Sequence, residues 1–437
     1  MAMSYKVRFW EIRERPDRRK GFEVRWTVGG REKSESYLTK GLAESRRAKQ
    51  RTTWYALASE YIEQRWDLTP GNTRRTLADA LATIAPAFVE PGTAPRDPRV
   101  LRRALYLWAF NKKAWATDPP KEWQVALDWL QRHSLPVSEL EEPDVLRRGL
   151  DALCRKVDGA AAAAKTVKRK KAAANEVFGA AVERGYFTQN PLNGLRWTAP
   201  EVAEEVDPDC VPNPAQVARL LAAVRALPGR GPHLYAFFGC MYYAGMRPAE
   251  VIHLQRSPCR LPPNGWGLLN LKGGVVTAGK EWTDNGAVHE IHSLKRRAAK
   301  ATRAVPIPPV LVSVLRDHMR QFGVAPDGRL FRNAAGKYID ASAYGITWGR
   351  AREAVLTLDE HALELAKRPH DLRHAGISFW LASGVDPAEC ARRAGQSIQV
   401  LFRYYAKFLA EARDHANRLI ETSMRRWEEP TGDSEGG

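Results

Sequence analysis

Nowhere does the 437-residue sequence run apolar for the roughly 18 to 20 residues that cross a bilayer, so no membrane-spanning helix is expected. Its opening stretch, MAMSYKVRFWEIRERPDRRK, is charged where a secretory signal would be apolar, which points to the cytoplasm. Cysteine is scarce: Cys154, Cys210, Cys240, Cys259 and Cys390 stand far apart with no CxxC pair, which leaves neither a disulfide framework nor a zinc ligand set. Acidic residues are outnumbered, 50 Asp+Glu against 68 Lys+Arg, for a formal net charge of +18. Such a chain is drawn to polyanions, with an affinity that falls steeply with salt. A basic membrane-surface protein would share the balance but would carry an amphipathic or apolar anchor, and none is visible. At roughly 100 to 200 residues per domain, two to four domains are expected.

What is present divides into three parts and a tail. In residues 1–50, Val7 and Phe9 alternate with basic residues, and Phe22, Val24, Trp26 and Val28 alternate with Glu23, Arg25 and Thr27. Gly29-Gly30 then turns the chain toward a third run at Lys33 to Leu38. The pattern predicts a three-stranded sheet followed by a helix over Gly41 to Gln50. With Arg8, Arg13, Arg25 and Arg31 available, the sheet suits an accessory DNA-binding module. Residues 53–198 read as helical: Thr53 to Gln64, Arg74 to Ile84, Arg99 to Ala114, Glu122 to Arg132 and Val145 to Val157 carry apolar residues at three- and four-residue spacing. The last helix of this part sets Lys165, Lys168, Arg169, Lys170 and Lys171 in an alanine-rich stretch whose small side chains allow close approach to a phosphate backbone. Residues 199–212, acidic and proline-bearing, read as a linker. Residues 213–428 open with Asn213 as a helix cap ahead of Pro214, and the glycine-rich end, 429–437, is expected to be disordered.

Four distant residues carry the chemistry. Arg247 in YYAGMRPAE, His370 and Arg373 in RPHDLRHAG and Tyr405 in LFRYYAKF suit the capture and breakage of a phosphodiester. Two forked guanidiniums can grip the non-bridging oxygens of one phosphate and stabilise the added charge of its pentacovalent transition state. A histidine beside them can hold or pass a proton near neutral pH. Tyrosine, with an ordinary pKa of about 10, attacks only where cations favour its phenolate. The resulting phosphotyrosine bond would conserve the energy of the broken linkage, so no ATP, metal or other cofactor is required.

These motifs resemble those of the tyrosine recombinase (phage integrase) family, in particular integrases of actinobacterial phages and mobile elements. The likeness rests on AGMRPAEVIHL around Arg247, HDLRH at 370 to 374 and the helix ending YYAK. The spacing agrees, with three residues from His370 to Arg373, 23 from Arg373 to Gln396 and nine from Gln396 to Tyr405. The resemblance implies a multidomain, mainly α fold with small β sheets: an arm-binding-like N-terminal sheet, a helical SAM-like core-binding domain and a mixed α+β catalytic domain. It implies that Arg247 and Arg373 clamp the phosphate, Glu250 orients Arg247, and Tyr405 is the nucleophile. Helical periodicity alone leaves Tyr404 and Tyr405 undecided.

It further implies a general-acid lysine on a hairpin between the arginine motifs. Lys295 matches best, followed by Lys300 and Lys280, and Arg296, Arg297, Lys300 and Arg303 would bind DNA beside it. His374 can hydrogen-bond near the site or serve only the local fold. Gln396 stands where the family carries histidine or tryptophan; an amide can donate to a phosphate oxygen but exchanges no proton at pH 7. The expected partners are double-stranded DNA attachment sites, three further copies of the chain in a tetramer on DNA, and a directionality factor, in the nucleoid and away from membranes. Two alternatives stand beside an integrase: a catalytically weakened DNA-binding homologue, for which Gln396 argues, and a type IB topoisomerase-like enzyme, against which the N-terminal sheet argues.

Overall fold

Val24 and Trp26, two residues apart on one side of a strand, supply the apolar face of the first sheet, and Ala43 of the following helix covers them. The sheet comprises β1 (Arg8–Phe9), β2 (Arg13–Glu14), β3 (Phe22–Val28) and β4 (Arg31–Tyr37), all pairing antiparallel with β3. Arg8 lies opposite Thr27 and Arg13 opposite Glu23 along β3. The expected three-stranded sheet is therefore there, with its first strand broken into two pieces. Thr39 then caps α1 (Lys40–Arg51), its side chain accepting from the Leu42 amide.

The computed structural model describes residues 8–28, 31–201, 206–257, 259–294, 301–411 and 413–428. The chain forms two units, Met1–Val202 with Ala278–Val288, and Ala203–Thr277 with His289–Gly437. Among the described residues no helix is long and apolar enough to cross a membrane.

The helical part of the first unit contains α2 (Trp54–Arg65), α3 (Gly71–Ile84), α4 (Pro98–Ala104), α5 (Lys121–His133), α6 (Pro143–Leu153) and α7 (Ala164–Glu183). Their apolar stripes meet around Trp54, whose ring stacks on Phe178 at 4.9 Å and meets the edge of Phe88 at 5.1 Å. The helix expected over Arg99 to Ala114 is interrupted. After α4 the chain widens into a π-helical turn at Leu105–Ala109, closed by the Phe110 amide on the Leu105 carbonyl at 2.9 Å. Leu105 and Phe110 are both fully buried. Five residues apart, they would diverge by about 140° on an α-helix, and the wider turn brings both to the core. Trp282, from the segment Ala278–Val288, is buried in this core beside Tyr106, and Arg74 holds Asp284 through bonds of 2.6 and 3.2 Å.

The second unit begins inside the expected linker. Pro208–Cys210 form a short turn, and the Cys210 carbonyl accepts from the Ala366 amide at 2.9 Å. As expected, Asn213 caps α8 (Pro214–Ala226), in a reciprocal capping box with Gln216. There follow α9 (Gly231–Tyr243) and α10 (Pro248–Ile252), then β5 (Cys259–Arg260), β6 (Gly267–Leu271), β7 (Gly273–Thr277), β8 (His289–Ser293) and β9 (Arg303–Ile307). The strands form an antiparallel sheet of order β5-β6-β9 and a separate β7-β8 hairpin.

Helices α11 (Pro309–Phe322), α12 (Ala341–Val355), α13 (Leu358–Ala362), α14 (Asp371–Ala382), α15 (Pro387–Ala394), α16 (Ile398–Glu411) and α17 (Arg413–Glu428) complete the unit. Its core gathers Phe237, Phe238, Leu311, Phe331 and Trp348. One close approach sets α14 against α9: at Gly376 the backbone of α14 lies on the Tyr242 carbonyl, with no room for a Cβ. The expected tail, 429–437, lies outside the described residues.

Candidate active site

Arg247 occupies the corner between α9 and α10, reached through Gly245, whose φ of +56° suits glycine. Pro248 starts α10, and the Glu250 carboxylate reaches back one turn to accept the Arg247 amide at 2.9 Å. The same carboxylate takes the Arg247 guanidinium at 3.0 Å and both terminal nitrogens of Arg303 at 3.0 and 2.8 Å. Glu250 is thus a buried anion between two guanidiniums. Burial would raise its pKa, but Arg303 above all, with Arg373 and Arg247, holds it down at about 2.

Arg303 corrects a sequence expectation. It is 3 % exposed and spends its fork on Glu250, so it organises the site from below instead of lying along DNA.

Arg373, on the first turn of α14, is buried to 2 % exposure. It donates to the Gly245 carbonyl, to the Ala394 carbonyl at 2.7 Å and to Gln396 Oε1 at 3.5 Å. The next carbonyl along, Gly395, accepts from Arg247 at 3.1 Å. Two successive carbonyls at the end of α15 therefore hang the two arginines together. Gly395 makes this possible with a left-handed φ of +63°, and a Cβ there would overlap the Arg303 guanidinium. Burial and Arg247 draw the Arg373 pKa down, yet only to about 9, so it stays charged at neutral pH. Gln396 is half-buried, and its Nε2 has no hydrogen-bond partner among the described residues.

Tyr405 is buried to 2 % exposure and carries the kink of α16, at φ −120° and ψ 19°. Its hydroxyl lies 2.7 Å from His374 Nδ1. Burial pushes the phenol pKa up, opposed by the positive charge of Arg373 and Arg247. His370 directly precedes α14, and its ring meets that of His374 edge-on at 5.0 Å. Burial, then His374 and Arg373, lower the His370 pKa to about 3. Tyr404 packs half-buried against Ile377, Leu381 and their neighbours.

Six of the expected site residues, Arg247, Glu250, His370, Arg373, His374 and Tyr405, thus share one neighbourhood, joined by Gln396. Sequence reasoning left out the Gly245, Ala394 and Gly395 carbonyls. Lys295, Arg296, Arg297 and Lys300 lie outside the described residues. Lys280 belongs to the first unit, where its carbonyl accepts from Lys113 at 2.9 Å.

On α7, Lys165 and Lys168 are exposed. Lys171 lies 4.8 Å over the Trp197 ring, and Arg169 reaches Thr76 at 3.2 Å and Asp79 at 3.3 Å. Lys170 is a second correction. Its ammonium is turned inward onto Thr83 at 2.8 Å and Asp79 at 3.3 Å, and the residue is 8 % exposed, so it braces α7 against α3.

No protein-family profile and no curated protein sequence matches the chain. Solved structures do. The Tn1549 transposon integrase in complex with transposon right end DNA aligns at a TM-score of 0.55 and 16% identity, over 84% of this chain and 100% of that one. The same integrase in complex with a circular intermediate DNA aligns at 0.51 and 15% identity, over 84% and 99% of the two chains. The XerH site-specific recombinase bound to difH substrate aligns at 0.44 and 12% identity, over 77% and 92%.

Proposed function

We propose that this chain, whose fold is that of the tyrosine recombinases, is a site-specific DNA recombinase that cuts and rejoins strands through a 3′-phosphotyrosyl link. One observation carries the reading: Arg247 and Arg373 hang from the successive carbonyls of Gly395 and Ala394, and both act on the buried phenol of Tyr405. Guanidiniums fixed in this way need little reorganisation as charge develops on a phosphate, which is where electrostatic catalysis is strongest. Arg247 offers the accessible donors, since a third of its side chain is exposed while Arg373 is enclosed.

In the proposed reaction Arg247 donates to the non-bridging oxygens, the enclosed Arg373 adds its fixed positive charge beside them, and the idle Gln396 Nε2 donates a further hydrogen bond. Tyr405 Oη attacks phosphorus, and the 5′ oxygen leaves with a proton from Lys295. A 5′-hydroxyl of the partner duplex then attacks the phosphotyrosine and restores the phenol. Integration or excision of a mobile element, at attachment sites bound by four copies of the chain, is the setting that this chemistry fits.

The test is covalent capture on a duplex nicked close to the cut, selected from a randomised library with the wild-type protein. Wild type should give a protein–DNA adduct that survives denaturation, and Tyr405→Phe should give none. An adduct with Tyr405→Phe would refute the assignment. Specific binding without any wild-type adduct would favour the second reading, a DNA-binding homologue weakened at Gln396. Relaxation of supercoiled DNA without paired sites would point to a topoisomerase.

A further inference from the structure

We infer that His374, the residue after the arginine of HDLRH, is the catalytic base that takes the phenolic proton of Tyr405 during attack and returns it on rejoining. The inference rests on the recombinase reading above. Its starting point is geometric: His374 Nδ1 lies 2.7 Å from Tyr405 Oη, within range of direct proton transfer. The ring centroids stand 5.7 Å apart, so contact is through the polar edges rather than by stacking.

A phenol in this pocket is protonated at neutral pH, because burial outweighs the pull of the arginines. Forming the oxygen–phosphorus bond must therefore displace a proton. His370 is a weaker acceptor: burial, then His374 and Arg373, lower its pKa and so disfavour the imidazolium that taking a proton would form. Its ring meets that of His374 edge-on at 5.0 Å, which suits it to support the base one helical turn along α14.

The step balances. Oη bonds to phosphorus as its proton passes to Nδ1 of a neutral imidazole whose Nε2 carries the other hydrogen. The bond to the 5′ oxygen breaks, and that oxygen takes its proton from the general acid. In the return step a 5′-hydroxyl gives its proton back to the general acid as its oxygen bonds to phosphorus, the phosphorus–Oη bond breaks, and the Nδ1 proton returns to the phenolate.

The experiment uses the full chain on the nicked duplex selected by wild type. His374→Asn places an amide oxygen where Nδ1 was, so it keeps an acceptor for the phenol but cannot take its proton. Single-turnover adduct formation and its reversal by a 5′-hydroxyl strand should both slow by about 10² or more with DNA affinity unchanged, the usual worth of a general base. Fluorinated tyrosine at 405, whose phenol ionises more readily, should recover much of the loss. Wild-type rates in His374→Asn would show that an acceptor suffices and overturn the assignment. So would a slow variant that fluorination leaves unrescued, since the histidine would then serve geometry only. Absence of any adduct in wild type would instead remove the recombinase reading, and this inference with it.

Discussion

Replacing Arg303 with methionine would test whether one buried ion pair holds the geometry around Arg247. Arg303 and Glu250 face each other through two hydrogen bonds of 3.0 and 2.8 Å, and their side chains are 2 % and 7 % exposed. The carboxyl is held at about 2 against an ordinary 4.5. That depression corresponds to about 3 kcal/mol favouring the charged form in the folded protein. Orphaning one partner of such a pair costs about 3 to 5 kcal/mol. Because Arg247 stays bonded to Glu250 in the variant, the lower end is expected.

At about 2 to 4 °C per kcal/mol, the melting temperature should fall by about 10 °C. The sign with pH follows from a depressed carboxyl: its stabilisation is fully present above about 4.5 and is lost as pH falls through about 2. Thermal melts of wild type and Arg303→Met should therefore differ most at neutral pH and converge in acid. The double variant Glu250→Gln/Arg303→Met should recover part of the loss, since removing both partners leaves no charge stranded. A melting temperature within about 2 °C of wild type at pH 7, or a gap that ignores pH, would refute the reasoning.

Gly395→Ala should lower both stability and covalent adduct yield, because its new methyl meets the Arg303 guanidinium at a left-handed backbone position; thermal melts and the nicked duplex read both. Removing the idle amide in Gln396→Leu should slow adduct formation by about 10 to 100-fold, in line with the loss of one charge-assisted hydrogen bond, with little change in melting temperature. Lys165→Ala/Lys168→Ala should flatten the salt dependence of duplex binding by up to about 2 in log–log slope. By contrast Lys170→Met, whose ammonium is held by Thr83 and Asp79, should change stability and leave that slope alone.

Much of this arrangement is legible in the sequence because it is local. Asn213-Pro214 announces the start of α8, and Pro248 with Glu250 announces a helix whose first turn can fix Arg247. Arg303 and Lys170 mislead because each lies in a basic run, and charge runs suggest solvent. Parity carries the better signal. Arg303 alternates in step with Val305 and Ile307 on the buried side of β9, and Lys170 follows Val167 and precedes Ala174 and Val177 on the inner stripe of α7. The π-helical turn hides for a related reason, since Leu105 and Phe110 fit the core only if the helical period changes between them. The contact of His374 with Tyr405 has no local signature at all. It depends on α16 folding back onto α14, 31 residues away in sequence, and only tertiary packing specifies it.

The two arginines take their aim from the main chain, through the oxygens of residues 245, 394 and 395. Such an arrangement reads chain length and, Gly395 apart, is largely indifferent to the side chains of the turn. Adding or deleting a single residue between Ala394 and Gln396 would send one oxygen to the wrong guanidinium and misaim both, whereas most substitutions on the outer surface of α15 would go unnoticed. Apart from Gly395, whose missing side chain leaves room for the Arg303 guanidinium, what the turn must preserve is its count of peptide bonds.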